Sequence, residues 1–238
     1  MGPSSGNVYV ADSGNNNIQE FSPNGTYITS WGTEGSQNGQ FRVPSGLDTD
    51  ASGNVYVADR YNNRIQEFSP NGTYISSLGV VGSEIGQFKV PLGVAIDGHS
   101  GNVYVADSGN NRIQEFSPNG TYITSWGTEG SGNGQFGLPG GLDTDASGNV
   151  YVADIRNNRV QEFSPNGTYI SSWGVVGSEN GQFKYPSAAA IDGHSGNVYV
   201  ADSGNNRIQE FSPNGTYITS WGTEGSANGQ FGLPGGLD

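Results

Sequence analysis

A chain of 238 residues with 9 Lys and Arg against 22 Asp and Glu has a formal charge of −13, so nucleic acid and anionic membrane surfaces meet net repulsion. It has no cysteine, which excludes disulfides and thiolate metal sites and leaves the compartment open, and no apolar run long enough for a transmembrane helix. The apolar set is dominated by strand-favouring Tyr, Trp, Phe, Val and Ile, and a chain of this mass can bury roughly 70% of its extended surface, so disorder is also excluded.

Residues 1–5 (MGPSS) are too short and polar for a signal peptide and resemble a leader or expression remnant. From residue 6 the chain repeats itself. Units begin at Gly6, Gly53, Gly101, Gly148 and Gly196, and the spacing of 47 or 48 residues with strand-like content points to a propeller or solenoid. In the first unit Val8–Ala11 alternates as a strand, expected to be the second of its blade. Asp12–Asn16 (DSGNN) is a run of turn formers, and Ile18–Phe21 is the third strand. Ser22–Gly25 (SPNG) makes a tight turn, with Pro fixing φ and Asn-Gly tolerating positive φ, before the fourth strand Tyr27–Trp31.

A glycine-rich connector, Gly32–Gln40, leads to Phe41, Pro44 and the short run Gly46–Asp50. That run and its counterparts Gly93–Asp97, Gly141–Asp145 and Ala188–Asp192 are rich in small residues, as a strand crowded against a central axis would be. The expectation is an all-β propeller of four-stranded antiparallel, up-and-down blades. Connectors alternate between GTEG and GVVG forms, so units two apart are most alike. Residues 101–143 and 196–238 differ only at Gly132 against Ala227, which points to very recent duplication or deliberate design.

The pattern P-x-G-V-A-x-D…G-N-V-Y-V-A-D…N-N-R-I-Q-x-F…G, carried in full by Pro91, Gly93–Asp97, Gly101–Asp107, Asn110–Gln114 and Phe116, resembles the NHL-repeat family of β-propellers. The resemblance implies binding platforms, sensor domains and, occasionally, lyases or lactonases, and six blades in most members, against five copies here. The N-terminal unit starts with a second strand (Asn7–Asp12), and the C-terminal one stops within a first strand (Gly235–Asp238). Pairing the two would close five blades into one domain over residues 6–238 and leave no sheet edge open. A monomer is favoured on this reading. The alternative is a homo-oligomer in which that strand is exchanged between copies.

Asp59, Asp107, Asp154 and Asp202 each precede a turn ending at Arg64, Arg112, Arg159 or Arg207, and a repeated carboxylate–guanidinium pair would orient turns between blades. The first copy has Asn17 in place of Arg. Asp48 and Asp50, like Asp143 and Asp145, match the first half of a calcium loop, but position nine is Tyr56 or Tyr151 and Asx-type turns account for the same residues. Asp48, Asp143 and Asp238 also stand where Ala95 and Ala190 occur, as solvated lining of a central channel. His99 and His194 are too few for zinc. The Asn-Gly-Thr sequons at Asn24, Asn71, Asn119, Asn166 and Asn214 are explained by turn geometry. Trp31, Trp126, Trp173 and Trp221, with Leu78 in the remaining copy, are expected to pack between blades or on the outer rim.

Near-identical units argue against catalysis, which needs unlike residues converging on one place. The reading is therefore a non-catalytic repeat scaffold with binding-platform character and no cofactor. The alternatives are a protein- or peptide-binding sensor domain and a metal-dependent lyase or lactonase. Residues that break the repeat would mark a binding surface: Arg60, Tyr61, Ile85, Leu92, Ile155, Arg156 and Tyr185.

Overall fold

The computed structural model describes residues 6–237, so the leader at 1–5 and Asp238 lie outside the described residues. Among the described residues nineteen strands form five antiparallel sheets. The first holds β1 (Val8–Asp12), β2 (Asn17–Phe21) and β3 (Tyr27–Trp31). The second adds an inner strand, running from β4 (Pro44–Thr49) through β5 (Val55–Asp59) and β6 (Arg64–Phe68) to β7 (Tyr74–Leu78). The third is β8 (Gly93–Ile96), β9 (Val103–Asp107), β10 (Arg112–Phe116) and β11 (Tyr122–Trp126). The fourth is β12 (Pro139–Thr144), β13 (Val150–Asp154), β14 (Arg159–Phe163) and β15 (Tyr169–Trp173). The fifth is β16 (Pro186–Ile191), β17 (Val198–Asp202), β18 (Arg207–Phe211) and β19 (Tyr217–Trp221). Strand order follows chain order in every sheet, so each is a propeller blade.

The tight turns form as their sequence dictates. In Ser69–Gly72 the Gly72 N–H donates to Ser69 O at 2.8 Å with Gly72 at φ +79°, a conformation that an L side chain resists. Asn71 Oδ1 accepts from the Ser69 and Thr73 hydroxyls, so the sequon residues knit their own hairpin.

The core lies between blades. One cluster joins Tyr56 and Ile65 of the second blade to Phe88 of the connector and Val94, Val105 and Phe116 of the third. At the centre, backbone meets backbone: Gly46 N–H donates to Leu92 O, immediately before the next inner strand, at 2.9 Å. The small residues expected near the axis are thus required there.

The first blade differs from the expectation of closure. Among the described residues β1 pairs only with β2, and residues 234–237 form no strand. Val8 and Val10 are 51% and 42% exposed, whereas Val150 and Val152, in a strand of the same sequence, are 0% exposed. The tail is instead seated on the fifth blade, where Ser187 and Ser203 hydroxyls donate to Pro234 O and Leu237 packs by Ala188 and Ile208. In the first three blades a serine hydroxyl donates to the start of the next inner strand, Ser13 to Pro44 O, Ser45 to Leu92 O and Ser108 to Pro139 O, and contacts of the same kind hold the tail on the fifth blade, away from pairing with the first.

Candidate functional site

The second and third strands of blades two to five are joined by 3-10 turns at Arg60–Asn62, Ser108–Asn110, Ile155–Asn157 and Ser203–Asn205. Connectors arrive at the same edge. Tyr61 N–H donates to Arg42 O, Gly109 to Lys89 O, Arg156 to Gly137 O and Gly204 to Lys184 O. One face of the propeller is built from these turns and connector ends.

Under that face lies a repeated ionic hub. Oδ2 of Asp59, Asp107, Asp154 and Asp202, all fully buried, accepts Nε–H of Arg64, Arg112, Arg159 and Arg207 at 2.7–2.9 Å. Each carboxylate's Oδ1 accepts the backbone N–H of Arg42, Lys89, Gly137 or Lys184 at 2.7 Å. In the second blade, Arg64 Nη2 donates to Gln37 O and Gln40 O, and Gln66 Nε2 donates to Gln40 O and Asp59 Oδ2. The expected pairing is present, and its partner is the incoming connector. In the first copy Asp12 accepts from Asn15 and Gln19 side chains, while Asn17 Oδ1 is buried with no partner.

The chain's 9 basic residues divide between hub and surface. Four are the hub arginines. The other five, Arg42, Arg60, Lys89, Arg156 and Lys184, all sit on the turns or connector ends, and none forms an ion pair among the described residues. Arg60 stacks its guanidinium 4.8 Å from the Tyr61 ring centre. Ile155 lies over the inner-strand Gly140, and Arg156 is exposed beside it. Asn158 ties this group together, donating to Arg156 O and accepting the Tyr185 N–H at 2.9 Å. Tyr185 and Lys184 line a cleft of ≈ 320 Å³ with Asn158 and Asn205. The structure thus brings Ile155, Arg156 and Tyr185 together, with Arg60 and Tyr61 two blades away on the same face. Leu92 is spent on the inner-strand contact, and Ile85 is exposed on a connector. Sequence reasoning passed over Arg42, Lys89 and Lys184. The signal for them was that cations outside the hub fall only on connectors and 3-10 turns.

Of the carboxylates singled out as calcium or channel candidates, Asp48, Asp50, Asp143 and Asp145 accept backbone N–H groups, and Asp238 lies outside the described residues. Asp50 Oδ1 accepts the Ser52 and Asn54 N–H groups at 2.8 Å, and Asp145 does the same with Ser147 and Asn149. Asp48 Oδ2 accepts the Ile96 N–H at 2.6 Å and Asp143 Oδ2 the Ile191 N–H at 2.7 Å, so each pins the inner strand of the next blade. Among the described residues no three His, Asp or Glu side chains converge as a metal site.

The opposite face holds a repeated tyrosine–glutamate pair. There Glu115 accepts from Asn102 Nδ2 at 2.7 Å and Tyr104 OH at 3.2 Å, and burial pushes its carboxyl up from the usual range. Burial, then the charge of the facing glutamate, also raises the phenols of Tyr56, Tyr104 and Tyr151.

Comparison with known proteins follows the repeat. The NHL repeat model matches residues 41–68, 88–116, 136–163 and 183–211. Peptidyl-glycine alpha-amidating monooxygenases B and A of Xenopus laevis are 50% identical over 50 residues, 19% of this chain but only 6% and 5% of theirs. Among solved structures, a streptogramin B lyase superimposes with TM-score 0.66 at 16% identity, over 92% of this chain and 66% of its own. A chain of a nidogen–laminin complex gives TM-score 0.69 at 21% identity, over 91% of this chain and 76% of its own. At such identities these two share the fold.

Proposed function

Because this chain belongs to the NHL-repeat family of β-propellers, we propose that it is a non-catalytic binding module whose face of 3-10 turns and connector ends takes a protein or peptide. One observation carries the reading: five of the seven residues that break the repeat, Arg60, Tyr61, Ile155, Arg156 and Tyr185, lie on that face, together with every cation not used in the hub. Exposed arginine and tyrosine are the residue types that anchor protein interfaces. A propeller of similar fold occurs in a complex with laminin, in keeping with this use. The near-identity of residues 101–143 and 196–238 supports a recently duplicated or designed scaffold on which a few positions have been individualised. A lyase reading has less support, since the inner-strand and hairpin aspartates each hold backbone N–H groups.

The test is a displayed-peptide selection against the whole chain, followed by fluorescence anisotropy on the winners. Combined Arg60→Ala, Tyr61→Ala, Arg156→Ala and Tyr185→Ala should weaken binding by about tenfold or more, as loss of interface anchors does. Binding that survives the combined variant, but fails when Glu67 on the opposite face is changed to Gln, would refute the proposal.

A further inference from the structure

Between neighbouring blades the fourth-strand tryptophan is the middle ring of a row of three aromatic rings, edge-on to one neighbour and tilted against the other. Trp31 stands between Tyr9 and Phe68 with ring centres 6.0 and 6.1 Å away. Trp126 stands between Tyr104 and Phe163 at 6.0 and 5.8 Å, and Trp173 between Tyr151 and Phe211 at 6.1 and 6.0 Å. Each indole also lies over the tight-turn glycine of the next blade. A Cβ placed on Gly72, Gly167 or Gly215 would come within 2.7, 2.6 or 2.9 Å of the indole.

The interface between blades two and three has Leu78 in that position. Here the nearest atom to a Cβ on Gly120 is Leu78 Cδ1 at 3.9 Å, and Gly120 is exposed where its three counterparts are half-buried. Tyr56 and Phe116, the outer members of the row, remain in one cluster with Leu78 packed against it. A cleft of ≈ 350 Å³ opens at this place, with Tyr56, Ile65, Leu78, Val103 and Pro118 as its apolar lining and four polar residues besides. Leucine is shorter than tryptophan by about one aromatic ring, and the floor, walls and turn that hold a ring elsewhere in the chain are all retained.

We propose that this slot is a binding site for a small planar aromatic molecule of the indole class. The ligand would complete the row between Tyr56 and Phe116 and cover Gly120. The slot's apolar lining offers an aromatic ring of matching shape a surface to cover, and Glu67, Ser76, Ser77 and Asn119 leave the rest of the cleft polar. The three sister interfaces show which shape matches. Their indole N–H groups are buried with no hydrogen-bond partner, so the slot selects by ring shape and needs no polar contact. The site is independent of the turn face and its peptide ligand.

The test titrates 5-fluoroindole against the whole chain by fluorine NMR. One saturable equivalent is expected, with a dissociation constant of about 1 mM or tighter for a ligand of this size. Leu78→Trp, which supplies the ring covalently, should weaken binding at least about tenfold. Trp126→Leu, which recreates the slot one interface further on, should raise the stoichiometry to two equivalents and decides the matter if Leu78→Trp does not fold. No saturable binding, equal binding to the Leu78→Trp variant, or no second equivalent in Trp126→Leu would overturn the proposal. Tighter binding of N-acetyltryptophanamide than of 5-fluoroindole would also overturn it, assigning the slot to a partner's tryptophan side chain.

Discussion

Asp107 lies fully buried with its Oδ2 2.8 Å from Nε of Arg112, five residues along the chain. Its other oxygen holds the Lys89 backbone N–H, so a local ion pair becomes a clasp on a connector that arrives from another blade. The hub joins blades, and its loss should be felt beyond one hairpin.

Replacing Asp107 by Ala leaves Arg112 Nε and the Lys89 N–H without their acceptor. Breaking a buried pair from one side costs about 3–5 kcal/mol. Urea denaturation should show that loss for Asp107→Ala and a far smaller one for Asp12→Ala, whose carboxylate has no arginine partner. Equal losses would mean that the connector clasp contributes nothing.

Inner-strand glycines are required by a neighbour's backbone. A Cβ on Gly93 would lie 2.7 Å from Gly140 O and 3.1 Å from Gly141 Cα. Gly93→Ala should therefore destabilise by about 1–3 kcal/mol through overpacking. The counterpart on the fifth blade is already Ala188, buried by Ile208 and facing a tail that forms no strand, so its methyl is accommodated there and Ala188→Gly should also destabilise, by about 1 kcal/mol. Thermal melts of the two variants check this, and a neutral Gly93→Ala would show that the inner strands are looser than described.

Alkali should unfold the protein through its tyrosines. Burial, followed by the charges of Glu67, Glu115 and Glu162, raises the phenols of Tyr56, Tyr104 and Tyr151 above the ordinary value of 10.0. Below about pH 10 both folded and unfolded chains keep these protons; above it only the unfolded chain releases them, so stability falls as pH rises. Melting temperature should drop from pH 10 upward, with the tyrosinate absorbance of these residues appearing together with unfolding. Ordinary titration near pH 10 in a still-folded protein would contradict it.

What the sequence disclosed was local. Turn formers at Asp12–Asn16 and Ser22–Gly25 mark strand ends because their conformational preferences act within a few residues. The Asp107–Arg112 pairing is legible for the same reason, as both residues flank one turn. Hidden from the sequence were relations set by the packing of one blade on the next. That Asp48 accepts the Ile96 N–H, 48 positions away, could not be read from the residues around it. Leu78 was one substitution in a series until the cleft beside Gly120 gave it a consequence. Closure was expected from matching strand sequences alone, yet pairing of β1 with the tail also depends on where four successive interfaces carry that tail.

Hydrogen exchange on the repeated VYVAD strands tests the central claim, that each blade is completed by its neighbours. The segments 8–12, 55–59, 103–107, 150–154 and 198–202 share one sequence, so intrinsic exchange rates are nearly equal and context sets the difference. The account predicts the strongest protection at 55–59, 103–107 and 150–154, and fast exchange at 8–12, where Val8 and Val10 face solvent. Equal protection of 8–12 and 150–154 would contradict it.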